Sequence, residues 1–256
     1  MTDLKFHKLT QDAGIARILL NRPSHNVFNI EMMEELTGLL SDLNADDDLK
    51  AVVIGAEGKS FCAGVEVADH KPELAPDMIR VFDGLLKQIH AMTVPTIAAV
   101  QGACLGGGME VAIACDMIAA STAAIFGQPE IKLGFLPPYA AVRLPRLVGP
   151  SKAIEICTTG RRYSAADAHS MGLLSDLFEP EEFEAGLEGL IKELKYLSPL
   201  IIRLNKAAVN RHLNMDLDSA MERVSAMFLD ELMTTQDTLE GINSFEEKRR
   251  PQWKNC

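Results

Sequence analysis

Residues 95–110 read PTIAAVQGACLGGGME, and this stretch decides the fold that the sequence predicts. Pro95–Val100 is a nearly continuous apolar run, which is typical of a short strand buried on both faces of a sheet. Three glycines at positions 106–108 follow and lead into a predicted helix over Met109–Cys115. Because glycines let the backbone approach a ligand closely, the same stretch also predicts a binding site.

The alternation of strands and helices extends on both sides of this stretch. Short apolar runs predict strands, and apolar residues at steps of three and four predict helices. The predicted strands are Gly14–Leu20, Ala51–Gly55, Met117–Ala120 and Ala124–Phe126; the predicted helices are Ile30–Leu43, Pro72–Met92 and Met215–Met233, and the chain from Ser151 onward is predicted to be helical. We therefore expect an α/β fold with parallel strands, followed by helices that no flexible linker separates from it.

Charge and composition exclude several classes of function. The 256 residues carry a net charge of −11, which opposes general binding to nucleic acid or to an anionic membrane surface. Aromatic residues make up 5% of the chain, too few for a platform that stacks bases. No apolar run reaches the roughly 18 residues that a membrane-spanning helix needs, and the first residues lack the apolar segment of a signal peptide. We expect no nucleic-acid partner and no membrane partner.

The cysteines indicate neither disulfides nor a metal site. There are five, an odd number, and none has the C-x-x-C or Cys/His spacing of metal ligands. Reduced, mostly buried thiols are typical of a cytoplasmic protein, which is the location that we predict.

Two glutamates lie close to backbone that can bind negative charge. Glu110 follows the glycines at 106–108, where the free N–H groups of a helix start attract an anion. A glutamate in a first helical turn also serves simply to stabilise the helix dipole. Glu130 ends Phe126–Glu130, and Ser60–Glu66 is a third segment of small residues; each alone also fits an ordinary turn. Together they supply two acids and two sets of amides, as chemistry on an activated carbonyl requires.

Seven ordered signatures resemble the crotonase superfamily of enoyl-coenzyme A hydratases and isomerases, from about Ile15 to Trp253. They are Leu20-Asn21-Arg22-Pro23, Phe61-Cys62-Ala63-Gly64, Ile97–Val100 with Gly102–Glu110, Cys115-Asp116, Phe126–Glu130, Thr159–Arg162 and Glu240–Arg249. The resemblance implies a spiral of ββα units over residues 1–195 and a C-terminal helical trimerisation or lid region over residues 196–256. It also implies a homotrimer or hexamer.

The resemblance assigns roles to four residues. The amides of Val65 and Gly107 are expected to form an oxyanion hole for the thioester oxygen, with Glu110 activating a water and Glu130 delivering a proton. Because simple isomerases of this kind typically keep only the second acid, the presence of both favours hydration. Coenzyme A is then part of the substrate, an acyl-coenzyme A thioester, and no separate cofactor or metal is expected.

Further residues are expected to contact the acyl-coenzyme A. They are Ser24, His25, Ala63, Val65, Glu66, Val67, Ala68, Gly107 and Tyr139, with Phe245 and Lys248 reaching the nucleotide end from a neighbouring subunit. A solvated terminal helix is the alternative explanation of the last two. The remaining histidines, His70 among them, are expected to be ordinary core or surface residues.

The sequence departs from common hydratases after Glu130. Residues 136–142 read LPPYAAV where the common enzymes have a glycine-rich stretch, and we expect Tyr139 and the two prolines to shape a pocket for a flat ring. The loop 65–70 most resembles hydratases of cyclohexa-1,5-diene-1-carbonyl-coenzyme A in anaerobic aromatic degradation. The alternatives are a short-chain enoyl-coenzyme A hydratase of fatty-acid oxidation, an isomerase or thioester hydrolase, and, disfavoured by charge, an RNA-binding member.

Overall fold

The computed structural model describes residues 4–256, so the first three residues of the predicted 1–195 core lie outside the described residues. Two sheets and a set of helices make up the described chain. The strands are β1 His7–Asp12, β2 Ile15–Leu20, β3 Ala51–Ala56, β4 Ser60–Cys62, β5 Thr96–Val100, β6 Ala103–Leu105, β7 Met117–Ser121, β8 Ile125–Gly127, β9 Arg162–Ser164 and β10 Asp176–Phe178. The helices are α1 Ile30–Asn44, α2 Ala75–Ala91, α3 Gly107–Ala114, α4 Pro138–Val148, α5 Pro150–Thr159, α6 Ala165–Ser170, α7 Phe183–Lys195, α8 Pro199–Asn210, α9 Leu217–Ala226 and α10 Gln236–Glu246.

The larger sheet has the strand order β1-β2-β3-β5-β7-β10 and is parallel apart from its first pair. The smaller sheet has the order β4-β6-β8-β9. A long strand, a short strand and a helix recur in this order as β3-β4-α2, β5-β6-α3 and β7-β8-α4. The predicted α/β fold, a spiral of ββα units, is confirmed.

The sequence did not predict five of the strands, namely β1, β4, β6, β9 and β10. β4 and β6 are only three residues long, too short to show a period of their own. β1 is an edge strand with mostly exposed side chains, so its six residues show no apolar pattern. β9 and β10 interrupt the region after Ser151 that was predicted to be wholly helical, and that prediction was wrong. Both are three residues long and are stabilised by pairing with β8 and β7, which no local period reveals.

Between residues 199 and 246 the chain is mainly helical, as predicted, whereas residues 247–256 contain no helix. Between α9 and α10 it forms a π-helix, Met227–Leu232. The buried ammonium of Lys206 on α8 donates to Asp116 Oδ2 at 2.6 Å and to the carbonyl oxygen of Val94 at 2.9 Å, which fastens this region to the sheet. Its division from the core at residue 195 stays a prediction.

Candidate active site

The start of α3 lies against the loop after β4. A Cβ on Gly108 would lie 2.4 Å from the carbonyl oxygen of Cys62, and one on Gly107 would lie 2.6 Å from Val65 Cγ2. Only glycine permits such contacts. The triple glycine therefore brings two distant segments of backbone together.

Two main-chain amides meet at this contact. The carbonyl oxygen of Phe28 accepts the N–H of Glu66 at 2.7 Å, and the N–H of Phe28 donates to the carbonyl oxygen of Gly64 at 2.9 Å. The N–H of Val65, which lies between Gly64 and Glu66, has no acceptor within residues 4–256. Gly107 is the first residue of α3, where N–H groups lack intrahelical acceptors. Val65 N is 3.5 Å from the Cβ position of Gly107. These amides can together bind one oxyanion.

Glu110 is a buried acid on α3, with 2% of its surface exposed. Its Oε1 accepts the N–H of Ala140 at 2.8 Å, so the carboxyl group caps the start of α4. Burial raises the pKa of Glu110 to about 7, helped by the charge of Glu130 and opposed by the α4 amides. The side chain can therefore hold or release a proton near neutral pH.

Glu130 lies on a 3-10 helix, Pro129–Leu133, that directly follows β8. Its Oε1 is 2.8 Å from the position that a Cβ on Gly106 would take, so Gly106 makes room for it. Burial raises the pKa of Glu130 to about 7. The fully buried carboxamide of Gln128, oriented with its nitrogen toward the acid, donates to the two Glu130 oxygens at 2.9 and 3.0 Å.

Both acids line one cavity of about 640 Å³. Apolar side chains from α2 and the segment after Glu130 make up most of its wall. Of the residues predicted from sequence, those that line it are Ala63, Val65, Val67, Gly107, Glu110 and Glu130. The structure thus brings together the four predicted catalytic positions, whose roles stay predictions.

The other predicted contacts lie outside the cavity wall. His25, which follows Ser24 in the chain, has its Nδ1 3.0 Å from Ser60 Oγ. The carboxylate of Glu66 accepts a hydrogen bond from the Arg22 guanidinium at 3.1 Å. Ala68 is exposed on a 3-10 helix, Val67–His70. Phe245, 85% exposed, and Lys248 lie at the end of α10.

Tyr139 departs from the expectation that it shapes the acyl pocket. Its ring packs against the hydrophobic core, while Leu136 and Pro138 line the cavity. The reason is that Tyr139 already belongs to the first turn of α4, whose backbone faces Glu110 and whose side chain turns inward.

Sequence reasoning missed several residues of the wall. His70 and Phe135 line the cavity, as do Met78 and Phe82 of α2. The α2 residues were predicted from their helical spacing, but only as core. For Gln128 the sequence offered a position inside a signature without a role.

Within residues 4–256 no group of three or more His, Cys, Asp or Glu side chains is arranged to hold a metal ion. In the same range no helix combines the length and apolar character needed to cross a membrane.

Comparison with known proteins identifies the class that this fold and site define. The enoyl-CoA hydratase/isomerase family matches residues 10–256. The cyclohexa-1,5-dienecarbonyl-CoA hydratase of Thauera aromatica is 34% identical over 96% of this chain and 95% of its own. The human mitochondrial enoyl-CoA hydratase domain-containing protein 2 is 35% identical over 94% of this chain and 86% of its own.

Solved structures agree with these sequence relatives. The enoyl-CoA hydratase of Bacillus anthracis has a TM-score of 0.93 at 28% identity, covering 98% of this chain and 100% of that one. DspI of Pseudomonas aeruginosa has a TM-score of 0.92 at 29% identity, covering 99% of this chain and 98% of that one. The chain belongs to the enoyl-CoA hydratase/isomerase family and is an enzyme of the hydro-lyase type.

Proposed function

We propose that the protein adds water across the conjugated double bond of an acyl-coenzyme A thioester. One observation carries this proposal: two acids with pKa values of about 7 line the same cavity as the converging amides of Val65 and Gly107. Hydration needs a base, an acid and an oxyanion site around one acyl group, and the cavity offers all three.

The amides stabilise the charge that develops during the reaction. When water attacks Cβ, the electrons of the double bond move to the thioester oxygen and form an enolate. Two N–H donors already oriented toward that oxygen stabilise the enolate without reorganisation, and loss of one such donor typically costs roughly 2.7–4 kcal/mol.

The acids move the two protons. Glu110 takes one proton from water, the resulting hydroxide bonds to Cβ, and Glu130 gives its proton to Cα. The enolate carbonyl re-forms, so the product is the 3-hydroxyacyl thioester. A base and an acid are both present at pH 7, because two buried carboxyl groups with raised pKa values resist ionising together.

For the acyl group we propose a cyclic dienoyl, cyclohexa-1,5-diene-1-carbonyl, as in anaerobic aromatic degradation. The Thauera aromatica relative, whose name states this substrate, supports it. So does the apolar wall, which suits a hydrocarbon ring, with Leu136 and Pro138 in the segment where common hydratases carry glycines. Relatives named only as enoyl-coenzyme A hydratases are equally similar, so a short linear enoyl group is the competing substrate.

A panel of thioesters with product identification tests both levels of the proposal. We expect the 1,5-diene thioester to be hydrated with a higher kcat/KM than crotonyl-coenzyme A. Faster hydration of crotonyl-coenzyme A would overturn the cyclic substrate but leave hydration standing. Double-bond migration in a 3-enoyl thioester without water addition, or release of free coenzyme A, would replace hydration by isomerisation or hydrolysis.

We also propose a homotrimer or hexamer in the cytoplasm, built through residues 196–256. Large apolar side chains exposed on α9, the π-helix and α10 support the assembly: Leu217, Met221, Phe228, Leu229 and Phe245. The five cysteines are all unpaired, which supports a reducing compartment. Light scattering coupled to gel filtration tests the assembly; a monomer would overturn it, together with nucleotide contacts from a neighbouring Phe245 and Lys248.

A further inference from the structure

Two rings from distant segments touch at the cavity wall. The imidazole of His70 and the ring of Phe135 have centroids 4.9 Å apart and an interplanar angle of 32°. Ring centroids between about 4.5 and 7 Å apart are in direct contact, so no acyl group fits between them. Both residues line the cavity that holds the two acids.

Each ring is attached to a segment that carries a proposed catalytic group. His70 Nδ1 donates to the carbonyl oxygen of Glu66 at 2.9 Å, and Glu66 directly follows Val65. The N–H of Phe135 donates to the carbonyl oxygen of Glu130 at 3.0 Å, after a turn in which Gly134 takes a φ of +80°. The ring contact therefore links the oxyanion segment to the acid segment.

We infer that His70 and Phe135, here called the ring clasp, close one side of the acyl cavity and select compact acyl groups over long ones. The inference rests on the proposed function and adds to it the residues that sort its substrates. A long acyl chain would have to displace one of the rings, whereas a six-membered ring or a short chain would stop against them.

The surroundings of the clasp favour a steric role. Val67, Ala75 and Met78 are apolar members of the same cavity wall. The hydrogen bond of Nδ1 goes to the main chain of the same loop rather than into the cavity. The imidazole therefore acts on the acyl group through the space that its ring fills, and the hydrogen bond fixes the orientation of that ring.

Two substitutions separate the ring from the hydrogen bond. His70→Phe keeps a ring but loses the donor; His70→Asn keeps an amide donor but loses the ring. The measurement is the ratio of kcat/KM for 2-decenoyl-coenzyme A to kcat/KM for the 1,5-diene thioester, with crotonyl-coenzyme A as a second compact reference. A ratio is independent of how much of each preparation is folded.

We expect His70→Asn to raise this ratio about tenfold or more, since a few methylene contacts are worth that much discrimination. His70→Phe should keep a ratio near that of the parent. Phe135→Ala tests the same wall from the other side and should also raise the ratio. His169→Asn, an exposed histidine on α6, is the matched control and should leave it unchanged.

An unchanged ratio in both His70→Asn and Phe135→Ala would overturn the clasp. So would a ratio in His70→Phe that rises as far as in His70→Asn, because the hydrogen bond would then be responsible. If the parent enzyme hydrates none of the thioesters, the proposed function itself fails. The two failures are thus distinguishable from the parent's activity.

Discussion

Two equally buried carboxyl groups, Glu110 beside the cavity and Asp237 in the C-terminal helices, have contrasting surroundings. Asp237 accepts from the main-chain N–H of Lys254 and Asn255 and from the hydroxyl of Ser198. Glu110 accepts a hydrogen bond from the main-chain N–H of Ala140 and lies close enough to Glu130 to feel its charge. A buried carboxylate that accepts several hydrogen bonds serves the structure, whereas one with few donors can exchange its proton.

The largest expected effect is on turnover. Glu110→Gln should lower kcat by about 10²–10⁴-fold, because the amide cannot take a proton from water. The fold should be retained, as the Gln side chain can still accept the Ala140 N–H. Steady-state kinetics check the loss of turnover, and a far-ultraviolet circular dichroism spectrum checks the fold. Full turnover would refute the role of Glu110 as the base. Glu34→Gln, an exposed glutamate on α1, is the control and should leave kcat unchanged.

The second effect should appear in stability rather than chemistry. Asp237→Leu leaves the Ser198 hydroxyl and two main-chain N–H groups without an acceptor, and each such orphan costs about 1–3 kcal/mol. Urea unfolding should report a loss of several kcal/mol, with turnover per folded molecule retained. Unchanged stability would show that the larger number of hydrogen bonds to Asp237 than to Glu110 does not stabilise the fold.

The third effect links charge burial to pH. Because the folded-state pKa of Glu110 is raised to about 7, the folded protein holds its proton where the unfolded chain has lost it. The contribution of this bound proton to the free energy of unfolding is fully present below pH 4.5 and is lost as the pH rises to about 7. The loss amounts to roughly 3 kcal/mol. Glu110→Gln should therefore be more stable than the parent at pH 8. At pH 5, where the parent carboxyl group is protonated, this gain in stability should be much smaller.

Urea unfolding at the two pH values measures this difference. Glu34→Gln, an exposed glutamate on α1, is the matched control and should show no pH-dependent gain. A stability difference between Glu110→Gln and the parent that is constant from pH 5 to pH 8 would contradict a raised pKa.

The smallest effect concerns Gln128. Gln128→Leu removes the amide that donates to Glu130, so the carboxylate loses stabilisation and the pKa of Glu130 rises further. Glu110 on α3, Cys157 on α5 and Lys132 on the 3-10 helix are the other ionisable groups around it.

The basic limb of the kcat/KM profile should then move upward by roughly one pH unit, since Glu130 acts as the acid. An unmoved limb with uniformly lower kcat would make Gln128 merely structural. Gln101→Leu, exposed at the end of β5, is the control.

Much of the frame could be predicted from the sequence, because long elements carry their own period. β2, β3 and β5 and helix α1 lie within a few residues of their predicted bounds. The strands of three residues, β9 and β10, could not be predicted, since pairing with a distant strand and not local pattern makes them strands.

The sequence by itself determined that glycines at 106–108 allow a close backbone approach and that two acids are present, since both follow from residue type and order. Only the tertiary structure decided that Tyr139 packs inward while His70 and Phe135 meet at the cavity. Which way a side chain turns depends on segments far apart in the chain. Burial, which raises the pKa of both acids, is likewise a property of the assembled fold.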